Sequence, residues 1–296
     1  MSASEYLAEG KDFIDQAITR FLPGEGAYPK SIHESMRYSM LAGGKRLRPI
    51  LVIAAAEALG ESRCSVLPFA VAVEFIHTYT LIHDDLPALD DDNFRRGKPT
   101  NHKVFGEAIA ILAGDALLTQ AFIVMSDVAS LGGIPEKEIL RASHEMAGAI
   151  GSTGVIGGQV VDLESENKIV DAATLEYIHV YKTGFLIRAC VRCGAMLSQA
   201  DPSQLSALSR YGENIGLAFQ IIDDVLDIVG DKKMLGKDIG SDLGRDKATY
   251  PALFGLEESR KKAELLVETA IDSLETFDGR AQPLRDIARF FVERTF

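Results

Sequence analysis

Two stretches of this chain, residues 66–82 and 215–229, are apolar on more than one face when wound as helices, and each runs into a cluster of aspartates. A helix without a polar face belongs at the centre of a bundle, where neighbours cover it all round. Around these two, apolar residues recur at helical spacing almost everywhere. Phe13, Ile14, Ala17, Ile18 and Phe21 form one stripe that stops near Pro23-Gly24. Further helices are predicted over 31–42, 50–59, 66–86, 105–130, 136–157, 173–199, 203–229, 247–275 and 283–294. Gly43-Gly44, Gly60, Gly132-Gly133 and Asp201-Pro202 punctuate them. Pro49 suits the start of its helix, and Ser203 is the predicted cap after Asp201-Pro202. No segment alternates with period two between hairpin turns, so a substantial sheet is not expected. Neither a repeat nor a low-complexity linker divides the chain. The expectation is an all-α protein, a single large helical bundle domain over residues 1–296.

Composition narrows the function classes. With 296 residues, 47% of them hydrophobic and 25% charged, the chain has the make-up of a soluble globular protein. A net charge of −12 sets an overall field that repels nucleic acid and anionic membrane surfaces, so neither is an expected partner. Three cysteines are too few for a disulfide framework and point to a reducing compartment. The N-terminal segment has no basic stretch followed by a small-residue cleavage site. No uninterrupted apolar run reaches the length of a membrane span, so stable membrane insertion is not expected. A cytoplasmic location is the expectation.

The acid clusters carry the chemistry. Asp84, Asp85, Asp90, Asp91 and Asp92 fall within nine residues, with Arg95 and Arg96 behind them. Asp223, Asp224 and Asp227 end the other apolar segment. Asp223 and Asp227, spaced i, i+4, share one helical face. Asp84 and Asp90 are about 240° apart on an undistorted helix, so they share a ligand only if the helix ends or kinks between them. Pro87 supplies the reason for such a break. Carboxylates are hard ligands suited to Mg²⁺, which completes its shell with water and phosphate oxygens. No paired Cys or His-x-x-His pattern suggests zinc or di-iron. Cations gather near the acids: Lys45, Arg46 and Arg48 in a Gly/Pro-bounded turn, Arg95-Arg96, Lys182, and Lys237 and Lys247 in a polar loop. Such residues around Mg²⁺ are what clamping a diphosphate requires.

The motifs G-G-K-R-L-R-P, L-I-H-D-D-L-P-A-L-D with R-R behind it, K-T-G, G-G-Q-V-V-D, F-Q-I-I-D-D-V-L-D and D-K-A-T-Y-P-A-L stand in this order. Over residues 30–256 the chain resembles the trans-isoprenyl diphosphate synthase family, in particular its bacterial members that make farnesyl diphosphate. The resemblance implies a bundle with a central cavity and Mg²⁺-dependent head-to-tail prenyl transfer. Dimethylallyl and then geranyl diphosphate would bind through three Mg²⁺ ions. Asp84, Asp90 and Asp223 would hold the metal, with Asp85, Asp224 and Asp227 as further candidates. Arg95, Lys182, Lys237 and Lys247 would grip the allylic diphosphate, with Thr183 and Gln220 at positions that stabilise the allylic cation. Isopentenyl diphosphate would sit on Lys45, Arg48, His77 and Arg96. Tyr79 and Thr80, five and four residues before Asp84, would set product length, and an aromatic at the former goes with a C15 product. The resemblance also implies a homodimer.

Some features stand apart from this pattern. The last residues, Phe291 to Phe296, include Arg294 but lack the basic tail common in bacterial members. Cys190 and Cys193 read as buried thiols, and Glu257-Glu258 with Lys261-Lys262 as a solvated face with i, i+4 pairing. Three other readings remain open on sequence alone: a geranyl or geranylgeranyl diphosphate synthase, a helical metal-dependent phosphohydrolase suggested by His83-Asp84, and a catalytically silent subunit. His33, His77, His102, His144 and His179 form no convincing ligand set for the phosphohydrolase.

Overall fold

Burial falls where the apolar patterning puts it. A computed structural model describes residues 2–166, 168, 170–229 and 249–293. Its centre is α4 (Arg63–Asp84), on which Val66, Phe69, Val73, Phe75 and Ile76 are fully buried. α4 packs against α3 (Leu47–Ala58) and α6 (Glu107–Met125). The second all-apolar segment lies in α11 (Pro202–Val229), where Ile215, Ala218, Ile221, Ile222 and Val225 are fully buried. α10 (Phe185–Leu197) joins the halves, touching α3, α7 (Glu136–Ile150) and α11. The rim comprises α1 (Ala3–Phe21), α2 (Lys30–Met40), α5 (Asn101–Phe105), α8 (Val155–Ser165), α9 (Ala172–Ile178), α12 (Tyr250–Phe254), α13 (Leu256–Asp272) and α14 (Gln282–Glu293). The fold is all-α; the strands among the described residues are a two-residue antiparallel pair, Phe94–Arg95 and Lys98–Pro99.

Several expected helices divide or shift, each for a local reason. α1 starts at Ala3 rather than near Phe13, because Ser2 and Glu5 form a capping box and Gly10 fits against Ile50. The helix expected over 105–130 is split by Gly106, whose φ of +82° separates α5 from α6. Gly255, at φ +83°, likewise splits the 247–275 prediction into α12 and α13. The 136–157 prediction ends at Ile150, and α8 is a separate helix. The 173–199 prediction is interrupted by a π-turn, His179–Gly184. α11 is capped by Asp201, not Ser203: Asp201 Oδ1 accepts from Gln204 N at 2.9 Å, Gln204 Oε1 accepts from Asp201 N at 3.0 Å, and Pro202 is the first helical residue. Lys261 pairs with Glu258 at i, i+3 rather than i, i+4. Cys190 and Cys193 are buried free thiols, as expected.

α4 and α6 are long and apolar enough to cross a membrane. For α4 this reflects its place in the core, since 78% of the window is buried. α6 is only 39% buried and turns Ile111, Leu112 and Ile123 outward.

Close helix approach depends on glycine at one point above others. A Cβ on Gly194 of α10 would stand 2.3 Å from the Val52 carbonyl oxygen of α3, a backbone atom that moves only with its helix. Gly194→Ala is therefore expected to destabilise the protein by about 1–3 kcal/mol, read from the urea midpoint at unchanged m-value.

Candidate active site

The break between Asp84 and Asp90 is a fold-back. α4 ends at Asp84, and the chain turns so that Asp90 N–H donates to the Asp84 carbonyl at 2.8 Å. Asp91 N–H donates to Leu86 O at 3.1 Å, with Asp91 itself left-handed at φ +45°. The turn brings the two outer aspartates of the motif to one helix end, where the carbonyl dipoles favour a cation. The inner one, Asp85, faces inward. Its Oδ1 accepts from Arg95 Nε at 2.8 Å and from Arg95 Nη2, which also reaches Asp92 Oδ2 at 2.9 Å. Burial pushes the Asp85 carboxyl up to about 6 even beside that guanidinium. Asp92 is thus also an Arg95 partner.

The Gly-Gly-Lys-Arg-Leu-Arg turn sorts its three cations by direction. Arg46, at φ +51°, turns inward and is buried. It donates to Asp15 Oδ1 at 2.8 Å, Glu74 Oε1 at 2.7 Å and Met40 O at 2.7 Å. Arg48 goes the other way and meets His77, with Nη1 3.2 Å from Nε2. Burial, then Arg48, holds the His77 ring well below its ordinary value, so it is neutral and accepts at Nε2. Arg48 Nε and His77 Nδ1 are both shut off from solvent without a hydrogen-bonding partner. Arg96 reaches the same pocket from the Asp-rich loop and donates to Gly43 O. It passes where a Gly44 Cβ would lie, 2.6 Å from its Cζ, and Gly44 sits at φ +131°. Burial lowers both Arg48 and Arg96 from their ordinary values. Desolvated guanidiniums and idle donors are the setting for an anion.

A second group stands across the bundle. The π-turn carries Lys182 and Thr183, and a π-turn inside a helix re-aims side chains at functional sites. Gly158 of α8 allows the approach, because a Cβ there would meet Lys182 N at 2.3 Å. Lys182 Nζ donates to Asp162 Oδ2 at 2.6 Å. Together with Thr183, Gln220, Asp224, His179 and Thr249 these residues line a cavity of about 120 Å³. On α11, Asp224 is buried: Oδ1 accepts from Gln220 Nε2 at 3.1 Å, Oδ2 from Tyr250 N at 2.8 Å, and His179 Nε2 lies 3.3 Å from Oδ2. Asp223 and Asp227 share the helix, and Asp223 is within electrostatic reach of Arg48, so the two acid-bearing helices border one space. Lys237 and Lys247 lie outside the described residues, as does Arg294.

Tyr79 is buried on α4, its ring edge-on to His83 with centroids 5.8 Å apart, and burial pushes its hydroxyl up to about 12. His83 itself reaches Ile111 O at 3.0 Å, across Gly114 of α6. Thr80 Oγ1 donates to the His77 carbonyl at 2.8 Å. Two residues were not singled out by the sequence, Asp162 and Glu74, each an ion-pair partner inside the site, while Arg46, grouped there with the diphosphate-clamping cations, instead pairs inward with Asp15 and Glu74. Asp162 stood within G-G-Q-V-V-D and Arg46 between two assigned cations, so motif membership was the available signal.

The donor set bears on a metal. Among the described residues no three His, Cys, Asp or Glu side chains converge as a ready-made site. The outer carboxylates offer hard oxygens only, which fits a cation that takes one or two of them and fills its shell from a bound diphosphate.

An all-helical bundle with two central acid-bearing helices, lined among the described residues by cations from the Gly-Gly-Lys-Arg turn, the Asp-rich loop and the π-turn, suits a helical prenyltransferase. The chain matches the polyprenyl synthetase family over residues 29–280 and belongs to it, as a trans-isoprenyl diphosphate synthase. It is 45% identical to the farnesyl diphosphate synthase of Geobacillus stearothermophilus, across 99% of this chain and 98% of that one. It is 48% identical to the geranylgeranyl diphosphate synthase of Cyanophora paradoxa, across 98% of this chain and 95% of the other. Its structure resembles that of an FPP/GFPP synthase from Zymomonas mobilis, with TM-score 0.87, 37% identity and 98% of both chains covered.

The neutral His77 gives a pH signature. Its folded value lies below the ordinary 6.5, so its contribution to stability is complete above about 6.5 and is lost as pH falls toward the depressed value. His77→Gln is expected to flatten the stability-versus-pH curve between about pH 7 and 5, measured by urea unfolding.

Proposed function

We propose that this enzyme makes farnesyl diphosphate by condensing isopentenyl diphosphate with dimethylallyl diphosphate and then with geranyl diphosphate. Tyr79 carries the C15 assignment. It is a buried ring about 7.5 Å along the helix from Asp84, at the depth where a growing chain meets a wall. Thr80, one residue nearer the acids, is smaller than an aromatic and leaves the space there wider. Asp84, Asp90, Asp223 and Asp227 would hold the three Mg²⁺ ions together with the allylic diphosphate, while Asp85 and Asp224 orient Arg95 and Gln220. When bound, the metal supplies charge neutralisation for the departing diphosphate.

The residues of the chain divide the remaining work. Arg95 and Lys182, with Lys237 and Lys247, hold the allylic diphosphate and balance the charge it gains as its C–O bond breaks. Thr183 and Gln220 present oxygens to the delocalised cation left behind. Lys45, Arg48, His77 and Arg96 hold isopentenyl diphosphate by its diphosphate, so that its double bond faces that cation. The double bond attacks, a carbon–carbon bond forms, and a proton leaves to the released diphosphate. No protein nucleophile takes part.

Two further elements belong to the proposal. The enzyme is a homodimer joined through the outward face of α6, whose Ile111, Leu112 and Ile123 lie uncovered in one chain. It works in the cytoplasm, in keeping with three unpaired thiols, Cys64 among them exposed.

Incubation with Mg²⁺, isopentenyl diphosphate and dimethylallyl diphosphate, followed by product chromatography, tests the reading. Farnesyl diphosphate is expected, and chelation of the metal is expected to abolish turnover. A C20 or C10 product would replace the C15 assignment with that of a geranylgeranyl or geranyl diphosphate synthase. Tyr79→Ala is expected to lengthen the product, and unchanged C15 output would remove Tyr79 as the wall. Leu112→Lys is expected to halve the mass seen by light scattering; a monomeric parent enzyme would remove the dimer from the proposal.

A further inference from the structure

One carboxylate beneath the cationic pocket takes no part in the scheme above. Glu74 lies on α4 one turn before His77 and is 1% exposed. Its Oε1 accepts from Arg46 Nη1 at 2.7 Å and stands 3.6 Å from Arg96 Nη2. Its Oε2 has no hydrogen-bonding partner. Burying a carboxylate with an idle oxygen costs stability, and packing alone would be served as well by an apolar side chain. A carboxylate is therefore retained for what its charge does to its neighbours.

Those neighbours are the pocket. Arg96 is held in a left-handed conformation, φ +54°, with its guanidinium lying over Gly44 and donating to Gly43 O. Gly43 O fixes it from one side and Glu74 from the other. Burial lowers Arg96 from its ordinary value, and Glu74 is the largest influence acting against that. Glu74 also supports the charge of Arg48. Through Arg46 it ties the turn that carries Lys45 and Arg48 to α4, the helix that carries His77.

We propose that Glu74 is a positioning residue for isopentenyl diphosphate, fixing the Arg96 guanidinium beneath the diphosphate group; this rests on the assignment of Lys45, Arg48, His77 and Arg96 to that substrate. Glu74 touches no reacting atom. Its effect belongs in the KM for isopentenyl diphosphate, and neither kcat nor the KM for the allylic substrate should follow it.

The test is a double-mutant cycle in steady-state kinetics. Glu74→Gln keeps the shape and removes the charge, and is expected to raise the isopentenyl diphosphate KM about tenfold, with kcat and the allylic KM within about twofold. In an Arg96→Ala background, itself expected to raise that KM by about 30-fold, Glu74→Gln should add nothing further. An unchanged KM in Glu74→Gln overturns the proposal. So does the same fold-change in both backgrounds, which would mean that Glu74 acts through general stability. If Arg96→Ala leaves the isopentenyl diphosphate KM unchanged, the pocket assignment falls and the proposal with it. Where Glu74→Gln does not fold, Arg96→Lys carries the test. It keeps the charge but lacks the fork that spans Gly43 O and Glu74, and is expected to raise the same KM about fivefold; no change overturns the proposal.

Discussion

The buried guanidinium of Arg46 joins more of this molecule than any core aliphatic does. It sits between Asp15 of α1, Met40 O at the end of α2 and Glu74 of α4, and so ties three helices to the turn between α2 and α3. Removing one partner of such a buried pair typically costs about 3–5 kcal/mol, because the other charge is left without compensation. The same contacts decide direction. With Arg46 committed inward at a left-handed φ, Arg48 two residues on faces His77. The turn thus commits Arg46 to structure and turns Arg48 toward His77.

The opposite wall uses sterics where this one uses charge. The π-turn that presents Lys182 and Thr183 is wedged between Gly158 of α8 and Gly216 of α11, the latter with room for Gly184 Cα only 2.8 Å from where its Cβ would be. A π-turn forfeits regular hydrogen bonding and persists where packing over-determines it. Lys182 is then stationed by Asp162 at 2.6 Å. Asp224 completes the wall by accepting from both Gln220 Nε2 and Tyr250 N, which links α11 to the start of α12.

How much of this was legible in the sequence follows from the range of each interaction. Periodicity is local, and it located α4, α11 and most rim helices. Pro87 signalled correctly that α4 ends before Asp90. What periodicity missed were breaks made by single residues, Gly106 and Gly255, whose positive φ divides helices that read as continuous, and the π-turn, whose one glycine, Gly184, keeps a helical backbone. Motifs placed the aspartates and cations in one region. The resemblance ranked Asp84 above Asp85 and assigned Arg48 but not Arg46, yet the motifs carry no physical reason for either choice, because neighbours in sequence share a motif while their side chains take different partners. That separation is set by long-range partners, Arg95 for one and Glu74 for the other.

The same distinction explains why product length is harder to read than reaction class. Transfer chemistry needs charge at fixed places, and charge identities survive in the sequence as motifs. In the C15 proposal, length depends on which way the Tyr79 ring leans. Tyr79 packs edge-on to His83, and His83 is held by the Ile111 carbonyl of α6 across Gly114, where a Cβ would lie 2.1 Å from Nε2. In the C15 proposal, the wall below the aspartates would be built by α4 and α6 together. α6 is also the helix whose outer face is left apolar and uncovered. The position of Tyr79 thus rests on α6 as well as on α4, and in the C15 proposal the depth of the wall would depend on both helices.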